Sequence, residues 1–133
     1  MRSNPLHQSE ERFMKILKLI PVAALLAVIA CGPDPIQITC DQSVKDLKDT
    51  VAGKTSFVVA CPSSCGERSV WGTDVYTTDS SICTAARHAG VIDTEGGKVE
   101  VEVLAGQDSY SGSERNGVST GSWNSYPGSF KVK

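Results

Sequence analysis

Four cysteines, Cys40, Cys61, Cys65 and Cys83, and one histidine, His88, are the side chains best equipped for chemistry in the later three quarters of this 133-residue sequence. Zinc is the first chemistry to weigh, because it takes thiolates and imidazoles that converge on one point. Cys61 and Cys65 are spaced CxxxC, which is not a tight zinc knuckle, and Cys83 and His88 stand five positions apart. On a helix that offset is about 140° around the axis, so the two face different sides. The same CxxxC lacks the CxxC spacing and βαβ surroundings of a thioredoxin-like pair. No G-x-S-x-G elbow and no H-E-x-x-H run occurs, and nothing singles out two carboxylates as an acid/base pair. Asp93, Glu95 and Glu100 flank Gly96-Gly97 without the spacing of an EF-hand loop, which reads as a solvated turn. The expectation is a protein with no metal, no cofactor and no enzymatic activity.

Binding is better provided for. The run Tyr110 to Gly117, YSGSERNG, mixes an aromatic ring, a fixed positive charge and adaptable polar groups, a blend that suits sugars and phosphates. Trp71, Tyr76, Trp123 and Tyr126 form a second group, able either to receive sugar rings or to fill a core. Arg87, Tyr110, Arg115, Asn116 and Trp123 are the candidate ligand-binding residues. Arg115-Asn116-Gly117 also reads simply as turn geometry.

The elements that must position these residues follow from periodicity. Ile36 to Cys40 alternates apolar and polar residues, as a strand does. Ser43 to Ala52 reads either as a short helix, capped by Ser43 and ended by Gly53, or as a plain loop. Ser56 to Cys61 is a short β run ended by Pro62, and Val70 to Tyr76 is β-rich with a bend at Gly72. Ile82, Ala85, Ala86 and Ala89 are spaced for one buried helix face. That helix starts at Asp79 or Ser80 and stops at Gly90. Val99, Val101 and Val103 alternate with Glu100 and Glu102, a strand with one face buried. Gln107 to Asn124 is rich in Gly, Ser and Asn and reads as a long turn region, and Tyr126 to Val132 closes the chain with Phe130 and Val132 on one side. The pattern predicts an α+β domain, antiparallel sheets packed around a central helix.

The N-terminal third argues for export. Met14 to Cys31 reads MKILKLIPVAALLAVIAC, a short basic region and then an apolar run ending in small residues. It is too short and wrongly flanked for a spanning helix and matches a secretory signal. Met1 and Met14 both stand as starts, MKILK being the tidier beginning. Val28-Ile29-Ala30-Cys31 resembles a bacterial lipobox, which implies a diacylglyceryl group on Cys31, cleavage before it and acylation of the new amino group. Gly32 in place of Asp resembles an outer-membrane lipoprotein of a Gram-negative cell envelope. Two or three acyl chains hold a protein firmly where one does not. The expected organisation is a signal peptide over 1–30, a lipidated tether over 31–35 and one domain over 36–133. The tether reaches roughly 15 Å at about 3.5 Å per residue.

Removing the 30-residue signal from 133 leaves 103 residues, enough for one domain with a modest core. Four of 13 basic and two of 15 acidic residues leave with it, so nine and 13 remain, a net charge of −4. That excludes a nucleic acid partner, which demands a basic face, and gives no general attraction to an anionic surface. With Cys31 set aside, an even four cysteines in a small exported domain read as two disulfides, with three pairings open.

The segment CPSSCGERSVWGTDVYTTDSSICTAARHAGVI, Cys61 to Ile92, resembles the LCCL module, and the match runs on through GGKVEVEVLAGQDSYSGSERNGVSTGSW to YPGSF. It covers roughly Ile36 to Lys133. The resemblance implies an α+β fold with a central helix, the pairing Cys40–Cys61 and Cys65–Cys83, and a structural hydrogen bond for His88. By analogy of fold it also implies a binding role, with lipopolysaccharide or another glycan as the ligand class. The alternative is a protein-interaction or structural module of the envelope with no small ligand.

Overall fold

A computed structural model of the chain describes residues 34–133. The expected signal segment 1–30, the expected lipidation site Cys31 and residues 31–33 of the expected tether lie outside the described residues, and none of the described helices is long and apolar enough to cross a membrane.

The described chain is α+β. Its strands are β1 (Ile36–Gln37), β2 (Ser56–Cys61), β3 (Gly72–Thr73), β4 (Val75–Thr77), β5 (Gly97–Ala105), β6 (Glu114–Arg115), β7 (Val118–Ser119) and β8 (Gly128–Val132), and its helix is α1 (Ile82–His88). Six strands form one sheet in the order β1-β2-β5-β8-β4-β3, and β6 and β7 form a separate hairpin. The expectation of purely antiparallel sheets needs one correction, because β1 runs parallel to β2. A parallel pair needs a crossover of a dozen or more residues, and the stretch between Gln37 and Ser56 supplies it.

That stretch settles the segment left open between helix and loop. Residues 43–53 form successive turns rather than a regular helix, with bonds such as Leu47 N to Val44 O alternating with Val51 N to Leu47 O. Ser43 does cap them, since its Oγ accepts from the Asp46 N–H at 3.3 Å while Asp46 Oδ2 accepts from the Ser43 N–H at 2.8 Å. Val44, Leu47 and Val51 are all buried, so the apolar spacing fills the core although the hydrogen bonding is irregular.

The central strands carry the alternation read from the sequence. Phe57 and Val59 of β2 stand opposite Val101 and Val99 of β5, and Val103 stands opposite Phe130 of β8. These residues form one core with Tyr76 and with Ile82, Cys83, Ala85 and Ala86 of α1. Every α1 residue except Arg87 is buried, the mark of an inner helix. Both alanines have no exposed surface, which lets neighbouring elements approach the helix axis.

The helix begins later than Asp79 or Ser80. Ser81 is the N-cap, its hydroxyl accepting from Thr84 N at 3.2 Å and donating to Cys40 O at 2.8 Å. Ser80 is taken up elsewhere, because its Oγ accepts from the Trp71 N–H and sits 2.8 Å from Thr77 Oγ1. The helix ends as expected at Gly90, which has φ +79°.

Two disulfides are present, but they join Cys40 to Cys65 and Cys61 to Cys83, with Cα separations of 5.4 and 5.7 Å. The expected pairing is therefore wrong. The cause is strand alternation. Cys61 follows Phe57 and Val59 on the buried face of β2, and that face meets Cys83 on the buried helix. Cys65 lies beyond the turn that starts at Pro62 and reaches Cys40 instead. The two loops interleave and tie β2, the turn and α1 together.

Candidate functional site

Around the C-terminal end of α1 lies an open groove of about 660 Å³. The helix brings Arg87 in its last turn, the following chain brings Gly90 to Thr94, the start of β5 brings Gly96, Gly97 and Lys98, and the β6–β7 hairpin brings Asn116. Gly96 is required here. It has φ +76°, and an added Cβ would collide with the Cys61 and Pro62 carbonyl oxygens.

Asn116 and Gly117 both have positive φ, +52° and +75°, the backbone of a tight Asn-Gly hairpin turn. The Asn116 amide donates to His88 O at 2.8 Å, capping a carbonyl of α1. The turn reading of Arg115-Asn116-Gly117 thus holds, and the turn also carries Asn116 to the groove wall. Arg87 Nη1 donates to Cys65 O at 2.7 Å. A guanidinium offers several donors in a planar fork, and the bond to Cys65 O is the one side-chain hydrogen bond of Arg87 among the described residues.

The charges sort into two classes. Arg68 is paired with Asp41 and Arg115 with Asp74, the latter at 2.7 Å. Arg87 and Lys98 take part in none of the ion pairs among the described residues. Asp93 also lines the groove, and its Oδ1 accepts from the Glu95 N–H at 2.8 Å in the local turn.

The five sequence candidates therefore separate. Arg87 and Asn116 meet at the groove. Arg115 is not among its lining residues and is held by Asp74. Tyr110 is buried, its hydroxyl 2.6 Å from Ser129 Oγ and accepting from the Gln107 N–H, so it belongs to the core and is not presented to a ligand. Trp123 is 51% exposed and stands edge-on to Trp71 with ring centroids 5.9 Å apart. Lys98 stands in no motif, and only the fold brings it to the groove.

His88 is fully buried. Its Nδ1 is 2.9 Å from the Tyr76 hydroxyl, and its Nε2 is 3.1 Å from Ser113 Oγ and 3.3 Å from Ser113 O. A serine within reach of an imidazole resembles a nucleophile and its base. However, Ser113 Oγ also sits 2.6 Å from Thr73 Oγ1, and neither His88 nor Ser113 lines the groove or the two smaller cavities. Burial, with the Arg115 charge as a smaller contribution, holds the imidazole below its ordinary value of 6.5. A neutral ring that accepts from Tyr76 and donates to Ser113 satisfies all three groups. His88 thus ties α1 to β4 and to the segment leading into the hairpin.

Comparison with known sequences agrees with this architecture. A family model described as LCCL domain matches residues 38–130. Human vitrin is 45% identical over 84 residues, covering 62% of this chain and 12% of the relative. Mouse cochlin is 40% identical over 103 residues, covering 76% and 18%. Clotting factor C of Tachypleus tridentatus is 33% identical over 97 residues, covering 71% and 9%. The chain spans less than a fifth of the length of each of these relatives.

Proposed function

Because the chain belongs to the LCCL domain family, we propose that it is a binding module whose groove at the end of α1 takes the anionic groups of a glycan, such as the phosphates of a lipopolysaccharide. The observation that carries this reading is the pair of cations, Arg87 and Lys98, that line one groove and are spent on no carboxylate. A net charge of −4 over residues 31–133 gives no long-range attraction, so recognition has to be local. Arg87 suits it, because a guanidinium makes two parallel bonds to one phosphate or carboxylate. Asn116 adds a polar edge. The groove offers cations and amide groups with no activated nucleophile, which supports binding over catalysis. A lipid anchor at Cys31 and a place in the cell envelope, at the outer membrane by the sequence rule at Gly32, belong to the same proposal.

The test is titration of the protein against lipopolysaccharide and a glycan array. Lys98→Ala and Arg87→Ala are expected to weaken binding by about 1–3 kcal/mol each, the scale of a charged hydrogen bond. Arg115→Ala is expected to leave affinity unchanged. No glycan binding, or equal binding by all three variants, would favour the alternative, a protein-interaction module of the envelope.

A further inference from the structure

The chain has two tryptophans, and the fold brings both to one small cavity of about 90 Å³ whose third wall is Asp79. This site is separate from the groove. Asp79 precedes the N-terminus of α1 and Arg87 sits in its last turn, so they stand at opposite ends of the helix. The cavity is built on fixed backbone. The Trp71 N–H is held by Ser80 Oγ at 3.0 Å, and Trp123 exchanges both backbone hydrogen bonds with Tyr110 at 2.8 and 2.9 Å. The two rings meet at 61°, so they form two walls of a corner rather than a stack.

Asp79, the third wall, carries a buried oxygen, Oδ1, with no hydrogen-bond partner, and its carboxylate neighbours the Tyr126 hydroxyl, whose pKa is raised by burial and then by this carboxylate. Asp79 also takes part in none of the ion pairs among the described residues. A buried carboxylate oxygen without a partner is costly, and an indole face lining the same cavity attracts positive charge through the ring quadrupole. The cavity is small and partly enclosed, which suits a compact ammonium group.

We propose that Trp71, Trp123 and Asp79 form a binding site for a compact organic cation, a quaternary or primary alkylammonium group. The corner of indoles receives the alkyl shell of the cation, and Asp79 neutralises its charge. The same chemistry is carried by a free quaternary ammonium ion such as choline and by the headgroup of a choline lipid.

Both tryptophans of the chain lie in the site, so intrinsic tryptophan fluorescence reports its occupancy with no other indole to obscure it. Titration of the protein with tetramethylammonium and with choline is expected to give a saturable fluorescence change, matched by calorimetry. The neutral isostere 3,3-dimethylbutan-1-ol is expected to give none. Trp123→Leu removes one wall at an exposed position and leaves the fold intact. Asp79→Asn keeps the shape and removes the charge. Each is expected to weaken cation binding by about tenfold or more. Sedimentation with phosphatidylcholine vesicles, against phosphatidylglycerol vesicles as control, separates a lipid headgroup from a free ammonium ion, and either result supports the site. The proposal is overturned by no response to either cation, by equal binding of the neutral isostere, by saturable binding of glucose in place of the cations, or by wild-type affinity in both variants.

Discussion

The hydroxyl of Tyr76 lies 2.9 Å from Nδ1 of His88, with both side chains fully buried between the sheet and the hairpin. Each group favours its neutral form for the same reason. Burial pushes the Tyr76 hydroxyl up from 10.0 to about 12 and holds His88 below 6.5. Burying either charge would leave it without water.

This pair predicts a stability profile with two flanks. The unfolded chain binds a proton at His88 more readily than the folded one. The His88 contribution is therefore fully present above about pH 6.5 and is lost as pH falls below it toward the lowered folded value. Tyr76 acts on the other side, its contribution being present below pH 10.0 and lost as pH rises through about 12. Thermal unfolding across this range checks both flanks. Tyr76→Phe, which leaves the imidazole nitrogen without its donor, is expected to destabilise by about 1–3 kcal/mol. A flat profile from pH 5 to 8 would mean that His88 is solvated.

The alanines of α1 make a second prediction. Ala85 and Ala86 are both without exposed surface, and they pack into the core shared by β2, β5 and β8. Leucine at either position adds volume where none is spare, so each variant is expected to lose about 1–3 kcal/mol by overpacking. Chemical denaturation of the two variants measures it. Wild-type midpoints in both would contradict the packing.

The strands and the helix were legible because their burial is one-sided. Val99, Val101 and Val103 against Glu100 and Glu102 can be only a strand with one wet face, and Ile82, Ala85, Ala86 and Ala89 mark one face of a helix. The helix start was less legible, because Asp79, Ser80 and Ser81 are all good caps. The choice fell to Ser81 only because Trp71 and Thr77 consume Ser80. The site was legible in part. Arg87 and Asn116 were identifiable by chemistry. That Arg115 would be held by Asp74, 41 positions away, and that Tyr110 would turn inward to Ser129, depend on long-range packing that no local pattern records. The cysteine pairing was illegible for a similar reason. The two pairings close loops of similar length, and the difference lies in which face of β2 Cys61 occupies.

The disulfides give a third prediction. Peptide mapping without reduction is expected to find Cys40–Cys65 and Cys61–Cys83 and no other bridge. Each closes a loop of 25 or 22 positions, which stabilises by about 3 kcal/mol in the chain-entropy model. Replacing Cys61 and Cys83 together by alanine removes a buried bridge between β2 and α1. It is expected to cost about 2–5 kcal/mol, a large share of the stability of a domain this size. A Cys40–Cys61 peptide would contradict the described fold, because Cys61 faces the helix.

The last prediction concerns Cys31, which sits three positions before the described residues. The run Val28-Ile29-Ala30-Cys31 resembles a lipobox, and the resemblance predicts a thioether-linked diacylglyceryl group on the cysteine, with the mature chain beginning there. Only two or three acyl chains give a firm hold on the membrane, each buried methylene contributing about 0.8 kcal/mol. Cys31→Ser is therefore expected to remove the acyl mass and release the protein from the membrane fraction. The two disulfides should form unchanged, since they use the other four cysteines. Intact-mass spectrometry of membrane-associated protein is the direct measurement. An unmodified Cys31 in that fraction would show that attachment arises in another way. The groove and the tryptophan cavity would then have to be considered for a protein free of the lipid surface.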